Sequence, residues 1–283
     1  MKTRNWIALI LALAFVFASG CASEKPAADL PEETLAYAEE SSTEVAETQA
    51  VTAAEEVTQA VTTDEEVSTT SAEETTAAEK SAPQTVEEIV AYFNASANKI
   101  KPTAKKVVKN YEKRIIDEDR LVFPESLEST ARSMISTFMK DDNDPIVYET
   151  REDITNEFIV PDQSYVSKLE PKYVEKAICV DKGNQYVITI ELKDQKNPTA
   201  GVGIGAVCDV IEANEVAEGA SFVEKFETNY SDCKIIATVD KATERVVHIQ
   251  YSTPLLLEMR VNLLGTHDVA LAVTFVKDFT ITY

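Results

Sequence analysis

The C-terminal run HDVALAVTFVKDFTITY, residues 267–283, alternates for almost its whole length. Val269, Leu271, Val273, Phe275, Phe279, Ile281 and Tyr283 share one face. Ala270, Ala272, Thr274, Asp278, Thr280 and Thr282 share the other. A period of two is the signature of a β-strand. The preceding run PLLLEMRVNLL, 254–264, does the same, with Leu255, Leu257, Met259, Val261 and Leu263 opposing Glu258, Arg260 and Asn262. One greasy and one wetter face mark an antiparallel sheet covered on one side. YVITIEL at 186–192, CKIIATV at 233–239 and RVVHIQY at 245–251 read as further strands. DKGN at 181–184 and LGTHD at 264–268 read as hairpin turns.

What covers the sheet is expected upstream. In TVEEIVAYFNASANKI, 85–100, Val86, Ile89, Val90, Phe93, Ala97 and Ile100 recur at helical spacing, and Thr85 with Glu88 forms a capping-box pattern. A second helix is expected from Pro102, with Val107, Val108, Tyr111 and Ile115 on one face. A third follows Pro124, with Leu127, Ala131, Met134, Ile135 and Phe138 inward, and stops in KDDNDP. The expected fold class is α+β: N-terminal helices packed on one face of a curved antiparallel sheet, spanning 84–283. Such a length suffices for one substantial core. Its net charge is −10, from 23 basic and 33 acidic residues.

Residues 22–83 have a different composition. They hold sixteen acidic and two basic residues, a net of −14, and one aromatic, Tyr37. Low hydrophobicity with high net charge cannot bury enough apolar surface to offset the entropy of ordering, so a disordered linker is expected over 21–83. TQAVTAAEEV at 48–57 recurs as TQAVTTDEEV at 58–67, a ten-residue period that suits neither a heptad nor a solenoid. A transient acidic helix is the alternative, favoured by Ala and Glu and opposed by the threonines. A flexible chain of this length spans roughly 45 Å on average and about 200 Å fully stretched. Its sign of charge excludes nucleic acid as a partner and opposes contact with an anionic membrane surface. Its threonines are potential glycosylation sites.

The first twenty residues read as a signal peptide. Lys2 and Arg4 precede an unbroken apolar run of thirteen residues, Trp6 to Ala18, too short to span a bilayer. Ala18-Ser19-Gly20 then leads to Cys21. This stretch resembles the lipobox of bacterial lipoproteins. Ser19, Gly20 and Cys21 match the pattern, while Ala18 stands where leucine is usual. The resemblance implies cleavage before Cys21 and attachment of a diacylglyceryl group to its thiol. The mature chain would then be held at the extracytoplasmic face of the cell membrane, its partner through the N-terminal lipid. Two acyl chains suffice for stable anchoring. Cleavage by the ordinary signal peptidase, giving a free secreted protein, is the alternative.

The hairpin VDKATERVVHIQY, 239–251, resembles a turn and ascending strand of LolA-like and LppX-like lipoprotein domains. Arg245 stands near where those turns often carry glycine. The resemblance covers thirteen residues and implies a half-barrel wrapped around helices, a shape that often holds lipid.

Chemistry-bearing patterns are sparse. The chain has two histidines. His248 is expected in a strand on the face of Val246 and Gln250, and His267 in a turn beside Asp268; both read as surface histidines. No HExxH, nucleophile elbow or P-loop occurs. Asp141-Asp142-Asn143-Asp144 lacks the glycine and closing glutamate of a calcium loop and reads as a solvated helix end. Cys179, Cys208 and Cys233 are spaced unlike zinc ligands and read as buried thiols, with a disulfide as the alternative. GVGIG, 201–205, holds three of the seven glycines. It reads as a flexible loop, or as an apolar loop over a cavity mouth in which Gly201, Val202, Gly203, Ile204 and Gly205 contact a ligand. No catalytic residue, metal ligand or cofactor is expected. The expected function is a non-catalytic binding or envelope-interaction domain displayed by a membrane-anchored lipoprotein. Its partner would be an envelope component; the alternative is a carrier of lipid or another apolar ligand.

Overall fold

The computed structural model describes residues 81–125, 128–213, 222–262 and 265–283. The signal peptide, Cys21, all but the end of the linker, and Leu127, Leu263 and Leu264 lie outside them, as do the side chains of Met134 and Phe138. The described part belongs to the α+β class and is dominated by antiparallel sheet.

Its elements, in chain order, are helices α1 (Val86–Ala97) and α2 (Ile100–Thr103), strand β1 (Lys106–Ile116), helix α3 (Glu128–Phe138), strand β2 (Ile146–Tyr148) and helix α4 (Arg151–Glu157). There follow strands β3 (Val174–Asp181), β4 (Gln185–Leu192), β5 (Gln195–Lys196), β6 (Val223–Tyr230), β7 (Lys234–Asp240), β8 (Arg245–Asn262) and β9 (Thr266–Thr282). The strand order is β2-β1-β9-β8-β7-β4-β3, with β6 also on β8 and β5 on β6.

The capping box at the start of α1 forms as expected. Glu88 N donates to Thr85 Oγ1 at 3.2 Å, and Thr85 N donates to Glu88 Oε2 at 3.1 Å. Backbone N–H groups of Gln84 and Thr85 hold the Glu88 carboxyl below its usual range. Ile89, Val90, Phe93 and Ala97 of α1 are buried with Ile188, Ile190, Ile235, Ala237 and Ile249 of the sheet. Asn98 fixes the end of α1 to the loop before β3, donating to Ser167 O and accepting from Val166 N and Ser167 N at 2.8–2.9 Å.

The second expected helix is a correction. Only Ile100–Thr103 is helical, and residues 106–116 form β1. Its valines, isoleucines and tyrosine suit a strand, and β9 offers it pairing from Lys106↔Thr282 to Ile116↔Val273. A shift in that register between Lys109 and Tyr111 makes Asn110 an extra residue, a β-bulge. Charged residues on the inward side and this bulge together hide the strand period.

The run 245–251 and the described part of the next, 254–262, join into the single strand β8, through Pro254. On one side of β8, pairing with β7 ends at Ser252 and pairing with β6 begins at Leu255. Pro254 stands at the handover. Its carbonyl points to that side, accepting from Ser231 N at 3.4 Å, so its missing N–H costs no ladder bond there. A second bulge, at Val247, turns Val246 into the core while His248 stays outside. The two therefore do not share a face as their spacing suggested.

Candidate functional site

Leu255, Leu257 and Met259 are buried in the same cluster as the α1 side chains. GVGIG forms a tight turn against that core. Gly203–Ala206 is a single 3₁₀ turn in which Gly203, Ile204 and Gly205 are buried, Gly201 is half-buried and Val202 is 47% exposed. Gly203 sits at φ +58°, and a Cβ there would collide with the Gln195 amide; one at Gly205 would collide with the Thr199 carbonyl. The backbone thus makes its close approach to the chain's own Gln195, whose Oε1 accepts from Ile204 N at 2.9 Å.

The turn delivers Asp209 to a charged cleft at the β1–β9 end of the sheet. The cleft holds about 200 Å³. Val107 and Lys109 point inward along β1. The bulge at Asn110 leaves Asn110 and Tyr111 both outward, so Glu112 and Arg114 return to the inner face beside Lys109. Glu112 is only 3% exposed. It meets Lys109 Nζ at 3.3 Å and the Arg114 guanidinium at 2.8 Å. Lys109 also reaches Asp142 Oδ2 at 2.9 Å. Burial alone would raise the Glu112 carboxyl; Lys277, Arg114 and Lys109 outweigh it and hold the group at about 2.

The acidic run after α3 is tied to this network. Asp142 exchanges backbone hydrogen bonds with Glu112 at 2.7 and 2.8 Å, and Asp141 Oδ1 accepts from Arg114 N at 2.7 Å. Among the described residues no three His, Cys, Asp or Glu side chains converge as metal ligands.

The remaining wall is the end of α4 and the segment after it, with Glu157, Ile159 and Pro161 at the cleft. Lys101, 2% exposed, holds that segment. Its ammonium donates to the carbonyls of Thr155, Val160 and Gln163 at 3.0, 2.7 and 2.8 Å. Burial brings this ammonium down to about 8, against the pull of Asp162.

Two charged side chains at the cleft stand apart from the network. Lys277 on β9 lies opposite Glu112 in register, and Asp209 faces the same space. Among the described residues neither makes a hydrogen bond or an ion pair. Burial pushes the Asp209 carboxyl up, against the pull of Lys277.

On the opposite face of the sheet a second polar cluster surrounds Asp278, 6% exposed. Asp278 accepts from Asn110 Nδ2 at 2.7 Å and Gln250 Nε2 at 3.3 Å, and His248 Nε2 lies 3.0 Å from its Oδ2. Among the described residues no hydroxyl or thiol hydrogen-bonds to His248. Cys179, Cys208 and Cys233 are free thiols, the last two buried. Burial pushes Cys208 up to about 12, where a thiolate is scarce.

Of the residues singled out by sequence, only Asp141 and Asp142 join the charged cleft. Lys109, Glu112, Arg114, Asp209 and Lys277 carried no signal of it. KNYEKR at 109–114 brings its charges to one side only once a bulge is inserted. No helix among the described residues is long and apolar enough to cross a membrane. Comparison with family models, curated proteins and solved structures found no match.

Proposed function

We propose that this chain is a bacterial lipoprotein held at the extracytoplasmic face of the cell membrane by a lipid on Cys21. Its acidic linker carries a non-catalytic binding domain clear of the bilayer, helices against one face of the sheet, toward an envelope partner or ligand. The anchor reading rests on the short apolar run that ends at Ser19-Gly20-Cys21. The binding reading is carried by one observation: Asp209 and Lys277 face one cleft without partners in a domain whose other charges there are matched. Half-buried charge without a partner is costly, which favours a site kept for recognition.

Cys21→Ala with metabolic acyl labelling and fractionation tests the anchor. The expected outcome is loss of label and release of the mature variant from the membrane fraction; retention there overturns the anchor. Capture of envelope components by the full chain, with Lys277→Met as comparison, tests the binding site. Carriage of an apolar ligand is the competing reading. Saturable uptake of an apolar dye by the unmodified full chain would favour it.

A further inference from the structure

The cleft offers more than an unpaired charge. Its two open groups are opposite in sign, Asp209 from the loop after the 3₁₀ turn and Lys277 from β9. They lie near enough to influence one another's field, yet more than the 4 Å of an ion pair separates them, since no contact joins them. Glu112, the carboxylate nearest Lys277 in register, makes its ion pairs with Lys109 and Arg114. Lys277 acts on it only through its field and makes no ion pair with it. The cleft lining also includes the apolar side chains of Ile146, Ile159, Pro161 and Phe279. A space of about 200 Å³ is smaller than a drug-sized site of roughly 300–1,000 Å³, and matches a molecule of about a dozen heavy atoms or fewer.

We propose that this cleft binds a small zwitterion of amino-acid size, its ammonium on Asp209, its carboxylate on Lys277, and its apolar part against Ile146, Ile159 and Phe279. The inference rests on the reading of the domain as a binding module and names the ligand class of that site. Each unpartnered charge supplies half of the recognition. A ligand lacking one of its charges leaves the matching side chain desolvated and unpaired, which is how a polar site rejects near relatives. The paired cations and carboxylates around the cleft hold the geometry but have no free valence for the ligand.

The test uses the full chain in detergent. The twenty common amino acids are screened by thermal shift, and binders are measured by calorimetry at neutral pH. Each binder is compared with its N-acetyl form, which lacks the ammonium, and its amide, which lacks the carboxylate. Saturable binding of at least one free amino acid is expected, with each capped form weaker by about tenfold or more, the equivalent of about 1.4 kcal/mol. Lys277→Met should abolish the preference for the free acid over the amide. Asp209→Asn should abolish the preference over the N-acetyl form. If one variant fails to fold by circular dichroism, the other arm still decides. No saturable binding by any amino acid overturns the proposal. Equal binding of the N-acetyl forms, which would mean a simple anion site at Lys277, overturns it too. Capture of an envelope component with no amino-acid binding would remove this inference and leave the display reading standing. Loss of the Cys21 anchor alone would leave this inference intact.

Discussion

Beneath α1 the inner face of the sheet is apolar, with Ile188, Ile190, Ile235, Ala237 and Ile249 packed under Ile89, Val90 and Phe93. At β1 and β9 the same face carries Lys109, Glu112, Arg114 and Lys277. One continuous sheet thus holds two unlike environments. The apolar part gains stability from every side chain removed from water, at roughly 25 cal/mol per Å². The charged part gains far less, because desolvation of each ion offsets most of its attraction to a partner. A hydrophobic substitute would serve stability as well. The charges are therefore better understood as a polar site built onto a fold whose stability resides elsewhere.

Phe93→Ala should show the contrast at its largest. The side chain is fully buried, and its loss should cost about 3–5 kcal/mol, read as a lowered midpoint in denaturant. Lys101→Met comes next. It leaves three carbonyls without their donor and should cost about 3 kcal/mol. Because those carbonyls flank Glu157, Ile159 and Pro161 of the cleft lining, exchange protection of residues 155–163 should fall before that of β7 and β8.

Acid should separate the two parts without mutation. The folded-state pKa of Glu112 is about 2, below its unfolded value of about 4.3. Its stabilising contribution is therefore fully present above that unfolded value and is lost as pH falls toward 2. The amount is about 3 kcal/mol by linkage, and Glu112→Gln should flatten the pH dependence of stability in that window. Unchanged acid sensitivity in the variant would argue against the network. Lys277→Met is expected to have the smallest effect, under about 1 kcal/mol, since no ion pair is lost. A much larger loss of midpoint would show Lys277 to be part of the structural network and weaken its role as an open cation.

Much of the sheet was legible in the sequence because several of its strands bury one face and leave the other wetter. The tail 267–283 and the runs of β4 and β7 show their period plainly, and the capped helix α1 is equally clear. β1 was misread as a helix because its inward positions past Val107 are mostly charged and the Asn110 bulge resets its phase. Helix α4 and strands β3 and β6 gave weaker local patterns. The cleft was illegible for the same reason as β1: its members come from β1, the loop after α3, the turn after Ile204 and β9, and only strand pairing brings them together. His248 shows the effect on a smaller scale, since the Val247 bulge parts it from Val246.

By itself, the sequence determined where period and capping act locally: an antiparallel sheet from alternating residues and a capped first helix. These depend on neighbours in the chain, and hydrophobic periodicity records them directly. Tertiary structure alone decided the fate of residues 106–116, the burial of Leu255 and Leu257, and the placing of Asp209 and Lys277 at one cleft. Those outcomes depend on pairing between segments far apart in sequence. A single extra residue in a strand exchanges its inner and outer faces, and no local pattern records which partner strand will require it.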